Sequence, residues 1–144
     1  MSNIKNIQEE LNTFTKQIIQ TIDDHLRFNI EIKHNIDPSF YDKINTGMTT
    51  LHITNIMKIN KKANDILIMI GKESEQNQNQ NKITKILHTL TNNYTNDHIL
   101  NKYKSILNEI ITLCQSIFSD IKNNIDPDTK YHELKLQAYE CQII

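Results

Sequence analysis

Six histidines and two cysteines are the side chains of this 144-residue sequence best suited to metal binding or nucleophilic catalysis. The histidines are His25, His34, His52, His88, His98 and His132. No two of them are three or four positions apart, so one helical turn cannot present two imidazoles to a metal ion. We therefore expect no bound metal ion and no cofactor.

The sequence also has few residues suited to nucleophilic catalysis or to phosphate binding. Cys114 lies on the apolar face of a predicted helix, where a buried and unreactive thiol is expected. The chain has two glycines, Gly47 and Gly71, and neither has a second glycine nearby. A glycine-rich loop for phosphate or a dinucleotide cannot be built from them. The sequence thus favours a protein without catalytic residues.

One pair of residues does have a spacing used in catalysis. Arg27 and His34 are separated by six residues. This spacing resembles the Arg-x4–6-His motif of helical-bundle ribonucleases of the HEPN type. The resemblance implies a ribonuclease in which His34 acts as acid or base and Arg27 holds the phosphate. The structural alternative, which we prefer, is that His34 complements the dipole at the end of a helix.

The C-terminal residues Cys141-Gln142-Ile143-Ile144 have the form of a CaaX prenylation box, which makes Cys141 a candidate for lipidation. A single prenyl chain anchors a protein weakly, and no polybasic stretch precedes this cysteine. The alternative is a cysteine without a role in an isoleucine-rich tail. We expect contact with a membrane only if Cys141 is prenylated.

The composition narrows the class of protein further. Ile is the commonest residue with 26 copies, followed by 19 Asn and 15 Lys, whereas Arg27 is the single arginine and Val is absent. This bias indicates an A/T-rich genome. The net charge of −1 and the single arginine argue against nucleic-acid binding. With neither a secretion signal nor a transmembrane run, we expect an intracellular, cytoplasmic protein.

The apolar residues at the start of the chain predict one long helix over residues 3–34. They alternate steps of three and four, which is the spacing of a heptad seam, and they are Ile4, Ile7, Leu11, Phe14 and Ile18. The seam is then expected to continue in steps of four through Ile22, Leu26 and Ile30. Asp37 and Pro38 suit the first two positions of a new helix. The short connection predicts that this second helix packs antiparallel to the first.

The second helix is expected over residues 38–70. A step of five between the apolar residues Leu51 and Ile56, close to Gly47, suggests a break or kink. Residues 49–59 also fit the alternation of a strand, but a lone strand would have no partner, so we prefer a helix. Gly71 is expected to end it in the left-handed C′ position.

The remaining chain predicts shorter elements separated by polar loops. The polar, low-complexity residues 72–81 are expected to form a mobile loop. Helices are predicted over residues 82–92, 97–123 and 127–141, with a loop over residues 92–97. The whole chain is then a single all-α domain, an elongated antiparallel helical bundle of four or five helices joined as coiled-coil-like hairpins.

Helix seams of this kind bury apolar faces against other helices, within the chain or on a partner. We predict a non-enzymatic protein–protein interaction module, either a helical subunit or adaptor of a larger assembly or a homo-oligomer. The shared core and interaction seam are expected to comprise Ile7, Phe14, Ile18, Ile59, Ile66, Leu107 and Ile117.

Residues 37–58, with Lys43-Ile44, Leu51 and Thr54-Asn55-Ile56-Met57, resemble the helical region of snapin-type subunits of lysosome-related-organelle complexes. The resemblance covers about 20 of the 144 residues. It implies a coiled-coil adaptor in endosomal traffic. A second interpretation is a viral or phage helical bundle that binds and inhibits a host protein.

Overall fold

The computed structural model describes residues 2–28, 38–78, 93–123 and 125–143, and these residues form four α-helices without any strand. The helices are α1 (Ser2–Arg27), α2 (Pro38–Gln78), α3 (Asn93–Lys122) and α4 (Asp128–Ile143). The predicted all-α fold is confirmed. At a rise of about 1.5 Å per residue, α2 is about 62 Å long and α4 only about 24 Å.

The four helices pack as a ring in which each helix is antiparallel to both neighbours. Helix α1 packs on α2 and α4, and α3 also packs on α2 and α4. The direction of α1 against α2 follows from two contacts, since Glu10 binds Lys62 while His25 stacks on His52. The α3–α4 turn brings Lys130 back to Asp120, which gives a second antiparallel hairpin.

One apolar core runs along this bundle and draws on all four helices. Helix α1 contributes a seam that starts at Ile7, α2 one centred on Ile66, and α3 one centred on Leu107. Helix α4 adds Tyr131 and three further residues, Leu134, Ala138 and Cys141. The seven residues predicted for the shared core lie in this cluster, each at most 4% exposed, and they are Ile7, Phe14, Ile18, Ile59, Ile66, Leu107 and Ile117.

The α1 seam departs from the predicted course after Ile22. His25 is only 1% exposed and Phe28 6%, whereas Leu26 is partly buried. The buried seam therefore continues in steps of three through His25 and Phe28, and not in steps of four through Leu26. The predicted extension of the helix from residue 29 to residue 34 lies outside the described residues.

Helix α2 differs from the sequence prediction at two places, within residues 47–59 and at its C-terminal end. It is continuous through Gly47 and residues 49–59, so the break at the Leu51–Ile56 step and the strand alternative are both wrong. It also continues to Gln78, so Gly71 does not end it and residues 72–78 are helical rather than a loop. The physical reason is a buried seam in alternating steps of four and three, formed by His52, Ile56, Ile59, Ala63, Ile66, Ile70 and Glu73.

Residues 72–78, Lys-Glu-Ser-Glu-Gln-Asn-Gln, are polar but rich in the straight-chain residues that favour helices. Polar composition therefore gave a misleading loop prediction there. The loop predicted over residues 92–97 is also wrong from Asn93 onward, because α3 begins at Asn93. The helix predicted over residues 82–92 and the last residues of the 72–81 loop lie outside the described residues.

The connection between α3 and α4 is fixed by local hydrogen bonds. The Ile125 N–H donates to the carbonyl oxygen of Asp120 at 2.7 Å, which closes the end of α3 in the manner of a Schellman motif. The Asp126 carboxylate accepts a hydrogen bond from the Asp128 N–H at 3.0 Å and caps α4. Pro127 occupies the first position after this cap, as the sequence predicts for Asp126-Pro127.

Candidate functional site

An apolar groove of about 550 Å³ lies between α2 and α3. Helix α2 lines it with Thr49, Ile53 and Met57, which are four residues apart and so lie on one face. Helix α3 lines it with Phe118, Ile121 and Lys122. We call this feature the α2–α3 groove. Met57 is 57% exposed, and none of the described helices covers this wall of the groove.

The groove exists because the apolar residues of α2 occupy more than one face. Its seam through His52 and Ile56 is buried in the bundle. Ile53 and Met57 each follow a seam residue by one position, so they point about 100° away from the core. A bundle of four helices buries the seam and leaves this second apolar row at the surface.

Lys122 is the one charged residue among the six that line the groove. It makes no ion pair with any residue the structure describes. The groove therefore combines an apolar floor with one positive charge.

A second feature, the histidine pair, lies behind the α2 wall of the groove. His25 of α1 and His52 of α2 stack with their ring centroids 3.8 Å apart and their planes 25° from parallel. Tyr131 of α4 meets the His25 ring edge-on at 5.2 Å, and Phe28 meets the His52 ring edge-on at 5.5 Å. The pair therefore joins α1, α2 and α4.

Burial sets the protonation of this pair. Burial, together with the nearby His52, lowers the pKa of His25 from 6.5 to about 3. Burial lowers the pKa of His52 from 6.5 to about 4. Both imidazoles are therefore neutral at pH 7. The Asn55 Nδ2 donates to His25 Nε2 at 3.3 Å, so the His25 proton resides on Nδ1, which is buried without a hydrogen-bond partner.

Two more buried polar atoms lie beside the pair without a hydrogen-bond partner among the described residues, namely His52 Nε2 and the Tyr131 hydroxyl. Burial and the neighbouring Asp128 and Asp126 raise the pKa of Tyr131, so the hydroxyl keeps its proton. The stacked rings do not suit a metal ion, because nitrogen lone pairs lie in the ring planes and so cannot converge from parallel rings. The described residues contain no group of three metal-ligating side chains.

A smaller and more polar cleft of about 330 Å³ opens on the other side of α2, against α1. Phe14 and Ile59 form its apolar part, and Asn55, Lys58 and Lys62 its polar part on α2. Lys62 is already bound to Glu10 across the cleft at 2.6 Å. That ion pair ties α1 to α2 across the cleft.

The structure separates the residues that the sequence singled out. Arg27 is exposed at the end of α1, and His34 lies outside the described residues, so the ribonuclease hypothesis stays a prediction. Cys114 and Cys141 are both buried free thiols, and burial raises the pKa of each to about 12. Cys141 packs in the core on α4, which is not where a lipid-bearing side chain is expected.

Sequence reasoning missed both the histidine pair and the groove. The signal for the pair was present, since His25 and His52 both fall on seam positions, three residues after Ile22 and four before Ile56. Comparison with known protein families, with curated proteins and with solved structures gives no match. None of the described helices is long and apolar enough to cross a membrane.

Proposed function

We propose that this chain is a non-enzymatic protein–protein interaction module that binds an amphipathic helix of a partner protein in the α2–α3 groove. The observation that carries the proposal is the groove itself, an apolar row of Ile53 and Met57 that faces Phe118 and Ile121 and that no further described helix covers. A partner helix laid in such a groove presents apolar anchors at i, i+3 or i+4, and i+7.

The charge around the groove defines the partner further. Lys122 favours a helix with an acidic residue beside its apolar stripe. A second copy of this chain is a poorer occupant. In a two-fold symmetric dimer the same patch meets itself, which brings one Lys122 close to the other. Docking of a different, acidic protein helix avoids this repulsion.

Selection from a random library of displayed helical peptides tests the proposal. We expect the selected peptides to carry an apolar stripe flanked by Asp or Glu. Met57→Ser removes the most exposed apolar side chain of the groove and should weaken their binding at least tenfold. The matched control is Ile68→Ser, because Ile68 lies on the same helix and is also 57% exposed but is not part of the groove.

Three results would contradict the proposal. Selected peptides that bind the Met57→Ser and wild-type proteins equally would place the binding site elsewhere. Selected peptides rich in Lys or Arg would contradict the acidic partner. A stable dimer of the wild-type chain in light scattering, dissociated by Met57→Ser but not by Ile68→Ser, would show that a second copy fills the groove.

A further inference from the structure

The histidine pair is a contact whose strength depends on both rings being neutral. His25 is 1% exposed and His52 7%, and their rings are in van der Waals contact at a centroid distance of 3.8 Å. A proton on either ring places a charge in the core beside the other imidazole. The cost of burying that charge is high unless a carboxylate pairs with it.

No carboxylate is in place to do so among the described residues. On α1, Asp23 is bound to Lys135 of α4 at 2.6 Å, and Asp24 is exposed. On α3, Asp120 is bound to Lys130 of α4 at 2.8 Å. The α2 side offers the neutral Asn55 amide and exposed Lys58. The α4 side offers the Tyr131 ring, and Asp128 at the start of that helix raises the pKa of Tyr131 rather than that of either histidine.

We propose that the histidine pair is an acid-sensitive joint, at which α1 and α2 separate locally when the chain is brought from neutral to mildly acidic pH. The neutral rings stack and hold the two helices together. In the open state the rings reach water and take up protons. Opening is confined to the end of the bundle that carries residues 22–28 and 49–57, because the seams beyond it contain no other described histidine in the core.

The direction of the effect follows from linkage. Both histidines have a lower pKa in the closed state than the ordinary 6.5, so the open state binds more protons below pH 6.5. The closed state is fully favoured above pH 6.5 and loses stability as the pH falls from there towards 4. Relative to neutral pH, protonation of one histidine at pH 5 raises the equilibrium constant for opening about 30-fold. Protonation of both raises it about 1000-fold.

The joint also bears on the α2–α3 groove, a consequence that rests on the proposed function. His52 lies between Thr49 and Ile53 in sequence, so the same turns of α2 form the joint on one side and the groove wall on the other. Acid opening of the joint would therefore release the α2 wall and weaken partner binding. The test below uses the chain without a partner, so its outcome is independent of whether the groove binds anything.

Hydrogen exchange of the native chain, measured at pH 7.5 and pH 5.0 and corrected for intrinsic rates, tests the joint. We expect protection in residues 22–28 and 49–57 to fall by up to about 1000-fold at pH 5.0. Protection in residues 103–117 of α3 should stay constant. In His52→Phe the stacked ring remains but cannot be protonated, and the loss should shrink to at most about 30-fold. His52→Gln gives a second variant without the proton site if the larger ring does not fit.

His132→Gln is the matched control, since His132 is exposed on α4 and takes no part in the stack. It should retain the full loss of protection at pH 5.0. A loss that is equal in the wild-type, His52→Phe and His52→Gln proteins would overturn the proposal. So would a uniform loss over all four helices, because that result describes general acid unfolding rather than a local joint.

Discussion

The hydroxyl of Thr15 in α1 lies 3.0 Å from the carbonyl oxygen of Ala138 in α4 and 2.9 Å from that of Leu11 in its own helix. Thr15 is fully buried, so this is a polar contact inside the apolar core. A hydroxyl has one proton to donate, which is shared between the two carbonyl groups. The small Ala138 side chain allows the two backbones to approach closely enough for this contact.

Thr15→Val should therefore destabilise the fold by about 1 kcal/mol. Valine keeps the shape of threonine but cannot donate the hydrogen bond to Ala138. Urea unfolding followed by circular dichroism measures the change. Thr112→Val is the control, because Thr112 makes the same bond to the carbonyl four residues earlier, at 3.0 Å, on an exposed surface of α3. Equal losses in the two variants would show that the interhelical hydrogen bond contributes nothing.

Gly71→Ala should stabilise the chain by about 0.5–1 kcal/mol. Gly71 lies within α2, and a Cβ atom added there meets nothing within 4 Å. Alanine favours the helix and reduces the freedom of the unfolded chain. The sign of the change in the free energy of unfolding, measured in urea, is decisive. If Gly71 were a left-handed C′ residue, alanine at this position would destabilise the fold. Gly47→Ala serves as the parallel case, with the same open surroundings in the same helix.

Ile66→Ala should cost about 2–5 kcal/mol, the range for removing a large core side chain. Ile66 is fully buried in the core. Ile68→Ala, two residues away on the exposed side of α2, should change stability by at most about 0.5 kcal/mol. Thermal and urea unfolding of both variants measure the difference. A similar cost for both would mean that the α2 seam is misplaced.

Cys141 should react slowly with iodoacetamide in the folded chain. At pH 8 a pKa of about 12 leaves about 1000-fold less thiolate than a pKa of 9.0 does, and burial restricts access as well. A cysteine introduced as Ser119→Cys, at an exposed position on α3, should be labelled fast in the same sample. Mass spectrometry identifies the labelled sites. Fast labelling of Cys141 would show that this thiol is accessible, and prenylation of Cys141 would then be compatible with the fold.

Apolar spacing predicted most of the fold, and it did so wherever a heptad seam was uninterrupted. The α1 residues from Ile7 to Ile22 and the α3 residues from Leu100 to Ile117 are buried as their spacing indicates. Prediction was wrong where a polar residue occupies a seam position. His25, His52 and Glu73 are buried at such positions. Because polar residues are expected at the surface, the predicted α1 seam continued through Leu26 instead of His25, and the predicted α2 helix ended too early.

The candidate sites could not be predicted from spacing because they depend on pairing between helices. Ile53 and Met57 are recognisable as apolar residues off the main seam, but the α2–α3 groove also needs Phe118 and Ile121 from α3 beside them. The histidine pair needs the antiparallel register that sets residue 25 against residue 52. A single sequence contains no direct record of that register.

The pairing of α1 with α4 joins residues that are far apart in sequence, which bears on the order in which we expect the chain to fold. Thr15 and Ala138 are 123 positions apart, and Asp23 and Lys135 are 112 apart. Such contacts close a very long loop, which is entropically expensive before the rest of the core exists. A 16-residue helix is also marginal on its own in water. We therefore expect the contact of α4 with α1 to form late, after the local α3–α4 hairpin, and losing α4 would uncover the α1 seam.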